Sequence, residues 1–453
     1  MKSDTVKVLH AVAGRPMIHY PVRSALELGA ERVVLVLGHQ RQRVEAYLSA
    51  AFPEAPIETV LQAEQLGTAH AVLCARDALA DFDGDVFILS GDVPTLPTAT
   101  IRQLDEVTGE AAVGVVGMRL AEPRAYGRFV RDDQGALCRI VEARDCTPEE
   151  LCIQEVNAGI YRADARFLFE TLAGVGTNNA QGEYYLTDLV QAASERRLGV
   201  ATLVLEGDDA ESAGGVNDRL DLAAAEGRMQ RRLRRALMIS GVTLVDPNRV
   251  TVHDGVQVGS DTIIEPDVSL LGATRVGDRC ILEQGARLMN TRIGDDVTIK
   301  GWSHLELSDV GDKAQVGPFA RLRVGTKLAE KVKIGNFVET KKAELGVGAK
   351  ASHLSYIGDA QVGPGANIGA GTITCNYDGV RKFRTEIGAG AFIGSDTQLV
   401  APVRVGEGAF VGAGTTVTED VPANALALSR AAQRNIDGWA DRKRARDAAR
   451  GKD

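Results

Sequence analysis

Two stretches of this sequence hold residue types that could do chemistry. The first is Ser90-Gly91-Asp92-Val93-Pro94, which follows the apolar run Val86-Phe87-Ile88-Leu89. A carboxylate at the end of a buried strand suits either of two tasks: holding Mg²⁺ against phosphates, or capping a turn or helix. The second is His353, one of seven histidines, set in a polar cluster with Lys350 and Ser352 before it and Ser355 and Tyr356 after. Imidazole titrates near neutrality and can take a proton from an ammonium group. A lone histidine on a regular face is more often structural, so the residues alone leave both readings open. Lys7 and Glu142 read, by themselves, as an exposed charge and a surface carboxylate.

The elements that would position these residues differ between the two halves. From Val258 to Val417 aliphatic residues recur every sixth position: Val258, Ile264, Leu270, Val276, Leu282 and Leu288, then, after the count slips, Ile387, Ile393, Leu399, Val405, Val411 and Val417. A small or β-branched residue stands four places after each, as at Thr262, Cys280, Ala286, Ala391 and Thr415. A period of six matches neither the helical turn of 3.6 residues nor the alternation of one long strand. It matches a β-solenoid whose hexads are each a short strand and a corner, with Gly at many corners because it tolerates positive φ. The short strands of a sandwich or barrel would not keep so many aliphatic residues in step. A solenoid of about ten coils is expected. The count breaks again over Cys375-Asn376-Tyr377-Asp378-Gly379-Val380-Arg381-Lys382, which reads as a loop thrown outward, a common place for function.

The first half alternates strand and helix patterns. Val33–Gly38 is an apolar run followed by a helical pattern over Arg41–Ala51, and a strand near Ile57–Leu61 precedes a helix near Ala69–Leu79. Further strands are read at Val86–Leu89, Ala112–Gly117 and Ala201–Leu205. Such alternation predicts a mostly parallel sheet with helices on both faces, and ligands at the carboxyl ends of its strands. A Leu-, Ala- and Arg-rich helix from Asn217 to about Ile239, stopped by Gly241, joins the halves. With 453 residues, two to three domains are expected, and 44% apolar with 25% charged residues is the balance of a folded soluble protein. A net charge of −9 argues against a general nucleic-acid or membrane surface. Six scattered cysteines without a CxxC pair predict reduced thiols and a cytoplasmic setting. The tail from Arg430 carries eight basic and four acidic residues, which reads first as a solvated face.

Several motifs go further. Leu61-Gln62-Ala63-Glu64-Gln65-Leu66-Gly67-Thr68-Ala69-His70-Ala71, Gly91-Asp92-Val93-Pro94, Ala125-Tyr126-Gly127-Arg128, Asn179-Ala180-Gln181-Gly182-Glu183-Tyr184-Tyr185 and Gly215-Val216-Asn217 resemble a sugar-nucleotide pyrophosphorylase. Gly317-Pro318-Phe319-Ala320-Arg321-Leu322-Arg323, Gly335-Asn336-Phe337-Val338-Glu339, Ser352-His353-Leu354-Ser355-Tyr356 and Gly371–Gly379 resemble a hexapeptide-repeat acetyltransferase. Both halves in this order resemble the bifunctional N-acetylglucosamine-1-phosphate uridyltransferase/glucosamine-1-phosphate N-acetyltransferase family over nearly the whole chain. The resemblance implies an α/β chain: a Rossmann-like nucleotidyltransferase domain (residues 1–216), a helical linker (217–247), and a left-handed parallel β-helix of hexapeptide repeats with a basic tail (248–453).

The resemblance also implies roles. Asp92 and Asn217 match Mg²⁺ ligands, hard oxygens suited to that ion. Lys7, Gln62, Gly67 and Thr68, and Gly127, Glu142, Asn157 and Asn217, match contacts to UTP and to N-acetylglucosamine 1-phosphate. His353 matches the general base of acetyl transfer from acetyl-CoA to glucosamine 1-phosphate. Arg323, Lys341, Tyr356 and Asn367 match contacts to that sugar phosphate. Ala370, Asn376, Tyr377, Ser395, Ala413 and Arg430 match contacts to acetyl-CoA. A homotrimer with sites between subunits is implied. In one respect the chain departs from the family, which opens with a strand and a Gly-rich loop of the form L-A-A-G-x-G-T-R-M. Here Met1-Lys2-Ser3-Asp4 stands where that loop ends. The expectation is a sheet short of one central strand and weak or absent nucleotidyl transfer, because backbone N–H groups of such a turn cradle phosphates.

Overall fold

The structure is a computed structural model and describes residues 1–38, 40–429 and 431–451. The chain divides into two units, Met1–Leu233 and Arg234–Asp453, with the boundary inside the helix Arg219–Ile239.

In the first unit the Val- and Ile-rich runs form strands: β1 (Val33–Leu37), β2 (Ile57–Leu61), β3 (Asp85–Ile88), β4 (Val113–Arg119), β5 (Arg128–Arg131), β6 (Leu137–Val141), β7 (Glu155–Asp164) and β8 (Val200–Leu205). β1 and β2 pair in parallel, in register Val33↔Ile57 through Leu37↔Leu61. The other six form one sheet in the order β8-β4-β7-β5-β6, with β3 also on β7. The expected parallel sheet is corrected here. Only β8–β4 is parallel in the sheet of six, whereas β7 runs antiparallel to β3, β4 and β5. The ten residues of β7 insert between β3 and β4, and an antiparallel strand needs no crossover helix to get there. Its sequence, Glu-Val-Asn-Ala-Gly-Ile-Tyr-Arg-Ala-Asp, mixes poor strand formers with good ones, which hides it from a propensity reading.

Val34, Val36 and Val60 of the two-stranded sheet pack on the same cluster as Val86 and Ile88 of β3, around Val115, Phe129, Tyr161 and Leu168. The two sheets therefore share a core without sharing a hydrogen-bond ladder among the described residues. Helices cover the sheet through apolar faces. The helix Ala165–Leu172, capped by the Asp164 carboxylate accepting from Phe167 N–H, buries Phe167, Leu168 and Leu172.

The second unit obeys the six-residue count. Strands of mostly two or three residues pair in parallel with the strand three further on, so each coil has three faces. Ile264 stacks on Leu282 and Leu282 on Ile299, and Leu270 stacks on Leu288 and Leu288 on Leu305, all fully buried. Each such side chain contributes about 1.5–3 kcal/mol by leaving water. Thr262, Cys280, Ala286, Ala391 and Thr415 are buried beside them, as the pattern requires. The slip after Leu288 is a corner one residue short, with Ile293 taking the next inward place. Two strands run unbroken around a corner, β9 (Lys333–Leu345) and β10 (Lys350–Val362), in register Asn336↔His353 and Lys341↔Gly358. Among the described residues all six cysteines are free thiols, and no helix is long and apolar enough to cross a membrane.

Candidate active sites

In the first unit, Asp92 lies four residues past the end of β3, where the chain turns through Ser90 and Gly91. Val216 N–H donates to the Asp92 carbonyl at 2.9 Å, which brings the segment Gly215-Val216-Asn217 alongside. Lys7 Nζ then donates to Asp92 Oδ2 at 2.6 Å and to Asn217 Oδ1 at 2.8 Å. Two hard oxygens already converge on one cationic atom, so their donor chemistry fits a divalent cation, with phosphates and water to complete its shell.

Gln62 Nε2 reaches the Gly67 carbonyl at 3.3 Å and His70 Nδ1 at 3.2 Å, and Thr68 Oγ1 accepts from Leu186 N–H at 3.1 Å. Gly67 has φ +110°, and a Cβ there would lie 2.5 Å from the Tyr184 carbonyl oxygen, so only glycine lets the turn approach that segment. Gly127, Glu142 and Asn157 also come together. Asn157 N–H donates to the Gly127 carbonyl at 2.8 Å, Asn157 Nδ2 donates to Tyr161 Oη at 2.8 Å, and a Cβ on Gly127 would sit 3.4 Å from Glu142 Oε1. Burial raises the Glu142 carboxyl above its ordinary 4.5, with Asp145, Asp188 and Glu183 adding repulsion. Glu142 is not the surface carboxylate that the residue alone suggests, because it is half-buried beside Gly127 and desolvated there.

In the second unit, His353 stands exposed at a corner, one coil beyond Asn336. Its Nδ1 meets Asn336 Oδ1 at 3.0 Å. With the amide oxygen accepting, the proton sits on Nδ1 and the Nε2 lone pair faces solvent, the arrangement a general base needs. Lys350↔Asn367, Asn367↔Phe392 and Phe392↔Phe410 carry the register onward, so Ala370, Ser395 and Ala413 stack below His353 on the same corner. Arg323, Lys341 and Gly358 stack on the opposite corner of the face that begins at His353, with Glu339 and Tyr356 paired between them. Arg323 Nη1 is 2.7 Å from Glu339 Oε1. The Lys341 ammonium is held below the usual lysine range, first by Lys382 and then by Arg323.

The loop after Cys375 leaves from that opposite corner. Asn376 Nδ2 donates to Asp359 Oδ2 at 2.5 Å, and Tyr377 bridges Lys382. One chain therefore brings Ala370, Ser395 and Ala413 to the His353 corner but leaves Asn376 and Tyr377 on the other. Asn367 starts its own face, paired with Lys350. Arg430 lies outside the described residues.

Three family descriptions match: nucleotidyl transferase over residues 3–210, GMPPB C-terminal domain over 247–347, and bacterial transferase hexapeptide over 384–419. Among curated relatives, the bifunctional protein GlmU of Anaeromyxobacter sp. strain Fw109-5 is 52% identical over 445 residues, covering 98% of this chain and 91% of its own. The GlmU protein of Pelobacter propionicus is 50% identical over 441 residues, covering 97% and 95%. That of Geobacter sulfurreducens is 47% identical over 464 residues, covering 98% and 96%. The chain belongs to the bifunctional GlmU family.

As a GlmU-family member it is an enzyme of two transferase parts, a nucleotidyltransferase unit and a parallel solenoid of hexapeptide repeats. Two residues escaped the sequence reading. Asn336 lies within the motif Gly335–Glu339, and its place beside His353 depends on a coil spacing of 17 residues that the hexad count does not display. Lys382 belongs to the outward loop, and its return against Lys341 is a tertiary contact that no local pattern shows.

Proposed function

We propose that this enzyme makes UDP-N-acetylglucosamine in two steps, acetyl transfer from acetyl-CoA to glucosamine 1-phosphate and then uridylyl transfer from UTP to the product. Residues 1–216 would carry the second step, 217–247 the connection, and 248–453 the first. The observation that carries the acetyltransferase reading is the His353–Asn336 pair at the head of a face bounded by Arg323 and Lys341. His353 Nε2 takes a proton from the substrate ammonium. The freed amine forms its bond to the thioester carbonyl carbon, the carbon–sulfur bond breaks, and the thiolate leaves to be protonated. Arg323 and Lys341 grip the phosphate through charge-assisted hydrogen bonds. Tyr356 and Asn367 contact the sugar.

The matched coenzyme residues lie on two corners, which supports a homotrimer whose sites pair the His353 corner of one copy with the loop corner of the next. Along the His353 corner, Trp302, Phe319, Phe337 and Leu354 form an exposed apolar ridge, each with positive φ, which supports the same packing. For uridylyl transfer, Asp92 and Asn217 would hold Mg²⁺, and Lys7, Gln62, Gly67, Thr68, Gly127, Glu142 and Asn157 would hold the nucleotide and sugar. The chemistry that Mg²⁺ would supply there is neutralisation of phosphate charge.

A second reading, acetyltransferase only, is favoured by one observation: β1 and β3 share a core, yet among the described residues no strand pairs between them. Assays of both half-reactions decide between them, run on this chain and on one given an added N-terminal strand and Gly-rich turn. Uridylyl transfer gained only with the addition supports the second reading for the chain as it stands. Full activity without it removes that reading. Acetylation unaffected by His353→Ala would sink the acetyltransferase assignment itself.

A further inference from the structure

Lys7 belongs to the short turn Lys7–Leu9, whose neighbours Val6, Val8 and Leu9 pack against Ile18, Val22, Leu35 and Leu37. The backbone is thus anchored while the four-carbon stem remains free to reorient. Its ammonium sits 2.6 Å from Asp92 Oδ2 and 2.8 Å from Asn217 Oδ1. Mg²⁺ takes hard oxygen ligands, so an ion bound by Asp92 Oδ2 and Asn217 Oδ1 would need the same two oxygens that Nζ now engages. Two cations drawn to one pair of oxygens repel each other and compete for the same lone pairs. We propose that the Lys7 ammonium is the resident occupant of the divalent-cation site, and that cation entry must expel it. The expelled side chain keeps its charge and must find an anion, and a phosphate group of a nucleotide is the anion whose chemistry fits. Cation and polyphosphate therefore bind cooperatively, each making room or charge for the other. Lys7 is on this account a positioning residue that keeps the site assembled and unloaded until both ligands arrive.

The proposal is tested by Mn²⁺ titration followed by electron paramagnetic resonance, with the metal alone as the probe and the full chain as the protein. Lys7→Met keeps the stem and removes the charge, and Lys7→Arg keeps the charge. Without nucleotide, Lys7→Met is expected to bind Mn²⁺ about tenfold more tightly than the native chain, within the usual span of coupling between sites. Lys7→Arg should bind no more tightly than the native chain, and Asp92→Asn combined with Lys7→Met should abolish the gain. Adding inorganic pyrophosphate should tighten Mn²⁺ binding to the native chain more than to Lys7→Met. Equal affinity in the native chain and Lys7→Met, weaker binding by Lys7→Met, or no Mn²⁺ binding by either would overturn it. The role given to phosphate rests on the uridylyl-transfer reading, but the metal titration does not. A chain without uridylyl transfer that still shows the Lys7→Met gain would fail that reading and leave the competition standing.

Discussion

Asn336 and His353 show how one contact sets a chemical role. An amide oxygen 3.0 Å from Nδ1 selects the tautomer whose Nε2 can accept a proton. His353→Ala is expected to lower kcat for acetyl transfer by roughly 10²–10⁴-fold, the usual worth of a general base, with secondary structure unchanged by circular dichroism. Asn336→Ala should cost about tenfold in kcat and little in KM for the sugar phosphate, because it orients the base without touching substrate. Glu142 gives a pH prediction in the other unit. Its folded-state pKa is raised by burial above the ordinary 4.5, so the folded protein holds this proton more tightly than the unfolded chain. Its contribution to stability is therefore fully present below pH 4.5 and is lost as pH rises through the folded value. Glu142→Gln should raise the melting temperature of the first unit at pH 7.5 relative to the native chain, and the gap should close near pH 4. A calorimetric scan at both values checks this.

Elements rather than single residues decide what the solenoid tolerates. Coils stack at the spacing of a β-ladder, about 4.8 Å, and several corners leave no room for a side chain. A Cβ on Gly335 would lie 1.8 Å from the Ser352 carbonyl oxygen of the next coil, so backbone must move. Gly335→Ala should destabilise the second unit by more than about 2 kcal/mol in urea unfolding and reduce acetyl transfer, since Asn336 is the next residue. Gly348→Ala, with nothing within 4 Å but φ +68°, should cost less, about 1 kcal/mol of backbone strain. In the first unit, the outer edge of β1 and the second edge of β3 pair with no strand among the described residues. Alternate amides of Val33–Leu37 should exchange with solvent faster than those of the central β4, as mass spectrometry of deuterated peptides would show.

At the scale of the whole molecule, the two corners of one coil face give a test that single variants cannot. His353→Ala and Lys341→Ala should each abolish acetyl transfer alone. If each site pairs one copy's His353 with the next copy's Lys341, random mixing of the two variants restores about a quarter of native activity. A site built within one chain restores none. Light scattering on the native chain should give three times 48.2 kDa.

Taken alone, the sequence determined the solenoid, because an inward aliphatic every sixth residue has one stable stacking, and Ile264, Leu282 and Leu399 are buried where the count puts them. It also carried Asp92, at the mouth of a strand run, and His353, beside its polar neighbours. It did not determine the sense of the first sheet, because β7 sets Asn157, Ala158 and Gly159, poor strand formers, inside its alternation, and no local pattern says which strands it will pair with. Nor did it determine the partners: Lys7 with Asp92 and Asn217, His353 with Asn336, Lys341 with Lys382. These pairs are separated by 85, 210 and 17 residues for the hydrogen bonds, and by a loop excursion for the last. Only tertiary structure could decide them, because what joins such residues is the stacking of coils and the order of strands rather than any local preference of the chain.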